Sequence, residues 1–489
     1  MIFNSVTFLV FLIIAVALYW VLPTRPRLWM IFLSGLVFYG FWRVEFIPVM
    51  LFSAFTDYFV ALKIDAIDPA DKRRRRHWLI LSFIVNFGLL AYFKYLMFFT
   101  RSANDFGHLL GVDFHFPLYN IVLPLGISFY TFESVSYTVD VYRGHLKANR
   151  DIVLYGCFIT FFPKLIAGPI LRASEILHQV KERPAFQLDF ITEGLDRILK
   201  GLFLKVVFAD NIAPFVDEGY KIPAAQMSAI DVWTLAFLFG FQIYFDFAAY
   251  SHIAIGCGKL MGVNISENFN YPYLATSFKD FWKRWHISLS TWIRDYLYLP
   301  LNGKQVIDRI GARGNIISVD DQENKKRRDL ALFLTWAIMG LWHGANWTFV
   351  IWGIYHATLI FIERLTDPLR IRFIPAPWQA IGWFYTLPLA MLSWVPFRAR
   401  TVSDTFIMFG KVLTPGAYLF RSMRENTYLL TFLMLVLMLL TYFVSEHLDK
   451  KIKDVPAIDF VYGVAKYTVM IILVFTFLRP ISQFIYFQF

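Results

Sequence analysis

Long apolar runs separated by short polar loops dominate the pattern of this chain. A run of about 18 to 20 apolar residues is long enough to cross the hydrocarbon core of a bilayer as an α-helix. The pattern predicts an all-α polytopic membrane protein with about eleven crossings and two or three further segments that do not cross. The candidate spans are 4–22, 28–44, 46–64, 78–99, 118–139, 152–170, 195–215, 229–249, 330–343, 346–363, 377–397, 427–445 and 457–478.

Proline and glycine interrupt several of these candidate spans. Pro124, Gly126, Pro163 and Pro169 fall inside otherwise apolar segments. In lipid, a broken helix must be covered by protein or must line a cavity, because its freed backbone groups find no other hydrogen-bond partner. We therefore expect residues 118–170 to include re-entrant or broken helices.

The segment 281–298, FWKRWHISLSTWIRDYLY, has the periodicity of an amphipathic helix lying near the membrane interface. Its aromatic and apolar positions share one face: Trp282, Trp285, His286, Leu289, Trp292, Ile293 and Tyr296. Basic and hydroxyl side chains occupy the other face. His286 departs from the pattern, because a titratable imidazole falls on the apolar side.

The stretch 331–362 is too long for one straight crossing and is expected to form a helical hairpin. We predict its bend near residues 344–346, with His343 at the tip, fourteen residues beyond Asp329. At about 1.5 Å per helical residue, the imidazole lies about 21 Å from the basic cluster before it. Ionisable groups at such depth are expensive to bury and by default mark function.

Composition supports the membrane assignment and excludes an ordinary soluble enzyme. Of the 489 residues, 57% are hydrophobic, 19% are aromatic and only 17% are charged. A soluble chain carries about a quarter charged residues. Residues 303–329 are polar and predict a flexible cytosolic insertion in what is otherwise a single membrane domain spanning 1–489. Cys157 and Cys257 lie in apolar stretches and indicate small core residues rather than a metal set.

The net charge of +11 indicates membrane orientation rather than nucleic-acid binding, because the basic residues cluster in short loops between spans. Arg25 and Arg27 follow the first apolar run, whereas a signal peptide would carry its charge ahead of it. Together with the run 72–76, they predict cytosolic loops and an extracytoplasmic N-terminus. Some of this charge is also suited to an anionic cytosolic cofactor.

Two histidines are the candidates for chemistry. His343 and His286 each lie in an aromatic-rich segment, and either alone is compatible with a buried, hydrogen-bonded packing residue. An imidazole titrates near neutral pH, so it can accept a proton from a hydroxyl nucleophile and return it to a leaving group. A zinc site is a weaker interpretation, because it needs a third ligand from elsewhere.

A further polar group lies in the run FQIYFDFAAYSHIAIG and includes Gln242, Tyr244 and Asp246. A carboxylate in an apolar run needs a partner, so Asp246 either orients a histidine or pairs with a basic side chain. Glu133, Lys164 and Asp140 raise the same question less sharply.

At these motifs the chain resembles the membrane-bound O-acyltransferase family, in particular its bacterial alginate O-acetyltransferase branch. The resemblance covers most of the chain, and many motifs in one order carry it. They lie at 122–144, 161–172, 241–256, 267–303 (ENFNYPYLATSFKDFWKRWHISLSTWIRDYLYLPLNG) and 341–349 (LWHGANWTF). The third motif more often reads FDFSGYSDMAIG, whereas this chain has Ala248, Ala249 and His252, which puts the usual Asp role at 252 in doubt.

The resemblance implies a helical core around a funnel with a tunnel for the donor. It also implies that His343 is the family's invariant catalytic histidine and His286 its second active-site histidine. No metal is implied. Candidate substrate-binding residues around them are Trp342, Asn346, Trp282, Trp285, Gln242, Tyr244 and Asp246.

The activity implied by the resemblance is transfer of an acetyl group from cytosolic acetyl-CoA, a donor substrate rather than a bound cofactor, to an extracytoplasmic polysaccharide such as alginate. His343 would act as general base on the hydroxyl, while His286 would polarise or position the thioester. The expected setting is the bacterial inner membrane, with a separate extracytoplasmic acetyltransferase as partner. Two alternatives stay open: D-alanyl transfer to teichoic acid from a carrier-protein thioester, and transport without chemistry. A transporter of this kind usually shows two related halves, and no such repeat is visible.

Overall fold

The computed structural model describes residues 1–112, 115–304, 325–373, 380–445, 452, 455–480 and 484–485. Throughout these residues the regular structure is helical, which confirms the all-α prediction. The α-helices are α1 Val6–Val21, α2 Thr24–Gly40, α3 Ile47–Ala66, α4 Lys72–Leu90, α5 Leu96–Leu109, α6 Ile127–Arg143, α7 Ile152–Thr160, α8 Ala173–Lys181, α9 Leu188–Phe203, α10 Asp210–Gly219, α11 Ala229–Leu260, α12 Phe278–Arg284, α13 Ile287–Ile293, α14 Leu299–Leu301, α15 Lys325–His343, α16 Trp347–Phe373, α17 Trp383–Leu392, α18 Trp394–Arg398, α19 Val402–Leu413, α20 Glu425–Phe443 and α21 Pro456–Thr476.

Seven helical stretches in the described residues are long and apolar enough to cross a membrane. They are Val44–Ala66, Lys72–Leu109, Ala229–Leu260, Trp347–Asp367, Ala380–Arg398, Glu425–Phe443 and Pro456–Thr476. Val6–Val21 is apolar but shorter. Many of their large apolar side chains are exposed, as expected for surfaces that face lipid. The chain is therefore a multi-pass membrane protein, while the number of about eleven crossings stays a prediction.

Two predicted spans are shorter in the structure because their prolines and glycines end the helices. The span predicted at 118–139 becomes helical only from Ile127, after Gly126, which has φ +70°. The span predicted at 152–170 is helical only to Thr160, and the irregular backbone of 161–171 is buried. The expectation of a broken helix covered by protein is confirmed at 161–171, whereas most of the residues 118–126 before α6 are exposed or partly exposed.

The prediction of one amphipathic helix over 281–298 is wrong. The chain forms α12 and α13 with a break at His286, whose φ of +42° lies in the left-handed region. A π-helical turn, Arg294–Tyr298, follows. Periodicity does not reveal such a break, because the side chains on both sides still fall on buried positions. Of the predicted insertion 303–329, residues 305–324 lie outside the described residues.

The chain divides into two compact units. The first comprises Met1–Asp196, Ala254–Glu267 and the described residues from Thr291 to 304. Helices α3, α4 and α6 pack together in it around the buried Asp57, which accepts hydrogen bonds from the side chains of Ser82, Asn86 and Thr138. The prediction of a single domain over 1–489 stays a prediction.

The second unit comprises Arg197–Ile253, Asn268–Ser290 and the described residues from Lys325 onward. Its centre is the hairpin of α15 and α16, which turns at residues 344–346 as predicted. The two helices approach closely because glycines face the partner backbone at two levels. A Cβ on Gly340 would lie 2.2 Å from the carbonyl oxygen of Phe349, and one on Gly353 would lie 2.0 Å from that of Trp336.

Gly353→Ala should destabilise the protein by about 1–3 kcal/mol, because the added methyl group must push the two backbones of the hairpin apart. The apparent unfolding midpoint of the purified protein in detergent measures this. Gly410→Ala on α19 is the matched control, since no atom lies within 4 Å of its added Cβ. Equal midpoints for both variants would contradict the close contact described for the hairpin.

Candidate active site

His343 is the last residue of α15 and lies at the tip of the hairpin. The residue is only 5% exposed, and its ring meets those of Trp342, Trp352 and Phe397 edge-on at centroid distances of 4.9, 4.9 and 5.4 Å. A larger residue at the next position would force the Phe349 ring to move, because a Cβ on Gly344 would lie 2.1 Å from a carbon of that ring. The imidazole is thus fixed in an aromatic pocket that largely excludes bulk water.

His286 is fully buried at the break between α12 and α13, and its tautomer follows from its contacts. Its Nδ1 lies 3.1 Å from Asn268 Oδ1, which also accepts the backbone N–H of Ser288 at 3.2 Å. Asn268 Nδ2 donates to Ser251 Oγ at 3.2 Å. Because the Ser288 N–H can only donate, the oxygen of the amide faces His286 and Nδ1 must donate to it.

The second nitrogen of His286 therefore carries the lone pair. Nε2 is buried and has no hydrogen-bond partner among the described residues. A buried acceptor without a partner is costly, so such a group is a candidate to receive a hydrogen bond from a substrate. Asn268, which is itself fully buried, is a positioning residue that the sequence analysis did not single out.

A continuous series of ring contacts joins the two histidines within the second unit. In order, the rings are His286, Phe269, Trp285, Trp394, Trp352 and His343, with centroid distances of 6.5, 5.2, 4.9, 6.2 and 4.9 Å. Of the candidate residues, Trp285 belongs to this series and Trp342 packs on its end. Tyr244 joins it from the side, 6.1 Å from the Trp285 ring.

The other candidates are placed differently. The Trp282 ring packs on Trp336 at 4.6 Å rather than in the series. Asn346 is exposed, and its Oδ1 accepts the backbone N–H of Thr348 at 3.1 Å, which caps the start of α16. The buried Oε1 of Gln242 has no hydrogen-bond partner in the described part of the chain.

Asp246 makes the contacts of a structural ion pair. Its Oδ1 lies 2.7 Å from Lys205 Nζ, which also lies 2.9 Å from Asp210. Its Oδ2 accepts the backbone N–H of Ile485 at 2.7 Å. The basic partner is one of the two alternatives left open by the sequence. It lies forty-one positions earlier in the chain, where no local pattern reveals it.

A third buried imidazole, His356 on α16, was missed by the sequence analysis. The residue is fully buried. The centroid of its ring lies 5.0, 5.0 and 5.5 Å from the ring centroids of Trp282, Trp352 and Trp336. Neither ring nitrogen has a hydrogen-bond partner among the described residues. Burying ring nitrogens among aromatic side chains without a hydrogen bond costs free energy, which makes His356 a candidate site residue. Its occurrence in the same apolar hairpin, thirteen residues after His343, was an available signal.

The described residues contain no group of three or more His, Cys, Asp or Glu side chains that could hold a metal ion. The arrangement instead offers buried imidazoles among aromatic rings. Such a site is suited to moving protons between uncharged reactants in a poorly hydrated environment.

Comparison with known proteins identifies related chains. The model of the MBOAT, membrane-bound O-acyltransferase family, matches residues 145–312, a range that contains His286. The chain is similar to the probable alginate O-acetylase AlgI of Azotobacter vinelandii, with 39% identity over 447 residues that cover 91% of this chain and 84% of the relative.

Two further relatives carry other names. The peptidoglycan O-acetyltransferase of Helicobacter pylori is 36% identical over 430 residues, which cover 82% of this chain and 77% of the relative. The teichoic acid D-alanyltransferase of Bacillus subtilis is 32% identical over 317 residues, 62% of this chain and 71% of the relative. The similarity to the two O-acetylating relatives therefore extends over more of the chain.

Proposed function

Because the chain belongs to the membrane-bound O-acyltransferase family, and is thus a membrane acyltransferase, we propose that it moves acetyl groups across the membrane for O-acetylation of an extracytoplasmic polysaccharide. The donor is cytosolic acetyl-CoA and the acceptor is an alginate-like exopolysaccharide. The observation that carries this proposal is the 39% identity over 91% of the chain to a relative named as an alginate O-acetylase. The buried histidines supply groups able to carry it out.

In the proposed reaction, a hydroxyl oxygen attacks the carbonyl carbon of the thioester. A C–O bond forms, the C–S bond breaks, and the proton of the hydroxyl ends on the departing sulfur. His343 accepts this proton as general base and returns it to the leaving thiol. Because the reaction is balanced in protons and electrons, no further co-reactant is needed.

The tautomer of His286 limits its role in this reaction. A bare Nε2 accepts a hydrogen bond but does not donate one, so in the neutral form it does not polarise a carbonyl oxygen. It is suited to hold a hydroxyl or thiol by its proton. We therefore assign His286 to positioning the O–H or S–H group, with Asn268 fixing the ring. Trp342, Trp285, Trp282, Tyr244 and Gln242 are candidates to line the substrate path, together with Asn346 and Asp246.

The proposed setting is the bacterial inner membrane with the N-terminus outside, as the loop charges predict. A separate extracytoplasmic acetyltransferase and its polysaccharide are the proposed partners. D-alanyl transfer from a carrier protein is the second candidate function, and the similarity to a teichoic acid D-alanyltransferase favours it.

Membranes that contain the protein together with its proposed extracytoplasmic acetyltransferase partner and the polysaccharide should transfer label from radioactive acetyl-CoA to the polysaccharide, and the same membranes with the His343→Gln variant should not. A parallel reaction replaces acetyl-CoA by a carrier protein charged with D-alanine. Label transferred from the carrier alone would replace the proposed function by the second candidate. Label transferred from neither donor would remove both.

A further inference from the structure

The first unit contains a cavity of about 830 Å³ whose chemistry the acyl-transfer site does not explain. It lies between the start of α4, the end of α6 and the turn after α14. Five basic side chains line it: Lys72, Arg75, Arg143, His145 and Lys304. None of the described residues that line it is acidic. A concave surface of one charge concentrates ions of the opposite charge, so this cavity favours an anion.

Two of the guanidinium groups are held in place by uncharged groups. Arg143 donates to the carbonyl oxygen of Asp295 at 3.3 Å from each of its Nη atoms. Arg75 Nη2 donates to the carbonyl oxygen of Val141 at 3.1 Å, and its buried Nε has no hydrogen-bond partner in the described part of the chain. Hydrogen bonds to carbonyl oxygens orient the two guanidinium groups but do not neutralise their positive charge.

Two carboxylates adjoin the lining residues, Asp140 and Asp295. Asp140 Oδ1 lies 4.0 Å from His145 Nδ1, and both Asp140 oxygens accept the Tyr296 hydroxyl at 2.9 Å. Asp295 accepts hydrogen bonds from Arg172 Nη2 and Arg294 Nε, each at 2.7 Å. Burial alone would raise the pKa of the Asp295 carboxyl, but these two arginines outweigh burial and hold the pKa below its ordinary value. The Asp295 carboxylate is thus ionised and paired with two arginines that do not line the cavity.

The remaining walls add aromatic and apolar surface. The guanidinium of Arg143 lies 5.4 Å from the centre of the Tyr296 ring, and that of Arg75 lies 5.5 Å from the centre of the Tyr142 ring. Phe83 and other apolar side chains complete the lining. Cations beside flat rings and an apolar wall fit a molecule that carries phosphates together with an aromatic or apolar part.

We propose that this cavity is a binding site for the phosphate groups of an amphipathic ligand. Such phosphates can come from the nucleotide end of a CoA thioester or from the headgroup of an anionic phospholipid. The cavity lies beside the run 72–76, which predicts the cytosolic side. The CoA source rests on the proposed function, whereas the phosphate chemistry rests on the lining residues alone.

The test compares two double variants of the full-length protein in nanodiscs. Lys72→Gln/Arg75→Gln removes two positive charges from the cavity wall, and Arg73→Gln/Arg76→Gln removes two exposed charges of the same helix that do not line it. Binding of CoA is measured by equilibrium dialysis. Retention of phosphatidylglycerol, supplied in phosphatidylcholine discs, is measured by mass spectrometry of the purified protein.

We expect the cavity variant to bind one of the two ligands about tenfold or more weakly than the wild type, because charge-assisted contacts to phosphate are lost. The control should stay within about twofold of the wild type, because Arg73 and Arg76 do not line the cavity and their exposed charges contribute little. Loss of CoA binding identifies the nucleotide as the source, and loss of phosphatidylglycerol identifies the lipid. Equal effects of both double variants, or no effect on either ligand, would overturn the proposal.

The two proposals fail in different ways. If the wild-type protein binds CoA through the cavity but transfers no acetyl group, the donor assignment fails and the cavity stands. If acetyl transfer proceeds with the same KM in wild type and in the cavity variant, and both retain the lipid equally, the cavity assignment fails and the proposed function stands.

Discussion

His343→Gln should lower the rate of acetyl transfer by about 100- to 10 000-fold, the range over which a positioned proton-transfer group contributes to catalysis. Glutamine fills part of the same space between Trp342, Trp352 and Phe397 but does not accept and return a proton near neutral pH. The measurement is the initial rate of label transfer from acetyl-CoA at saturating donor. A loss in kcat with little change in KM would show that the side chain acts on the reacting atoms.

His178→Gln is the matched control for this variant, because His178 is exposed on α8. Both variants should show the unfolding midpoint of the wild type within a few degrees. A folded His343→Gln protein that transfers acetyl at the wild-type rate would remove His343 from the mechanism. It would direct attention to His286 and its bare Nε2.

Lys164→Met should destabilise the first unit by about 3–5 kcal/mol, the cost of leaving a buried charge without its partner. Lys164 Nζ is paired with Glu133 Oε2, and both residues are almost completely buried, at 1% and 2% exposure. Lys164 also lies 4.6 Å from the centre of the Phe158 ring. Without the ammonium group, the carboxylate keeps a long hydrogen bond of 3.4 Å from the backbone N–H of Leu171.

The double variant Glu133→Met/Lys164→Met distinguishes the contribution of the ion pair from the contribution of side-chain packing at these two positions. Because both charges are removed together and the volumes are similar, its unfolding midpoint should return most of the way to the wild-type value. Unfolding midpoints and yields of all three variants in one detergent provide the measurement. A double variant no more stable than Lys164→Met would show that the ammonium group has a role beyond neutralising Glu133.

The parts of this structure that local sequence patterns determine were predictable. The hairpin tip at residues 344–346 follows from a polar, glycine-bearing bend in an apolar run. The breaks before Ile127 and after Thr160 follow from glycine and proline. Each of these features depends on residues that are neighbours along the chain.

The parts that depend on distant residues were not predictable. Asp246 pairs with Lys205, and His286 is oriented by Asn268 eighteen residues earlier. The left-handed backbone at His286 is held by contacts on both sides of it, and helical periodicity carries no sign of it. His356 was overlooked because an imidazole among tryptophans has the pattern of ordinary core packing.

The left-handed backbone conformation of His286 is unfavourable for any residue with a Cβ, although the proposed function uses the side chain at this position. A residue with a Cβ costs about 1–2 kcal/mol in this conformation, whereas glycine adopts it freely. Replacing the histidine by glycine would relieve this backbone cost but would also remove the hydrogen bond to Asn268 Oδ1 and the buried Nε2. The imidazole therefore occupies a position at which the backbone alone favours glycine.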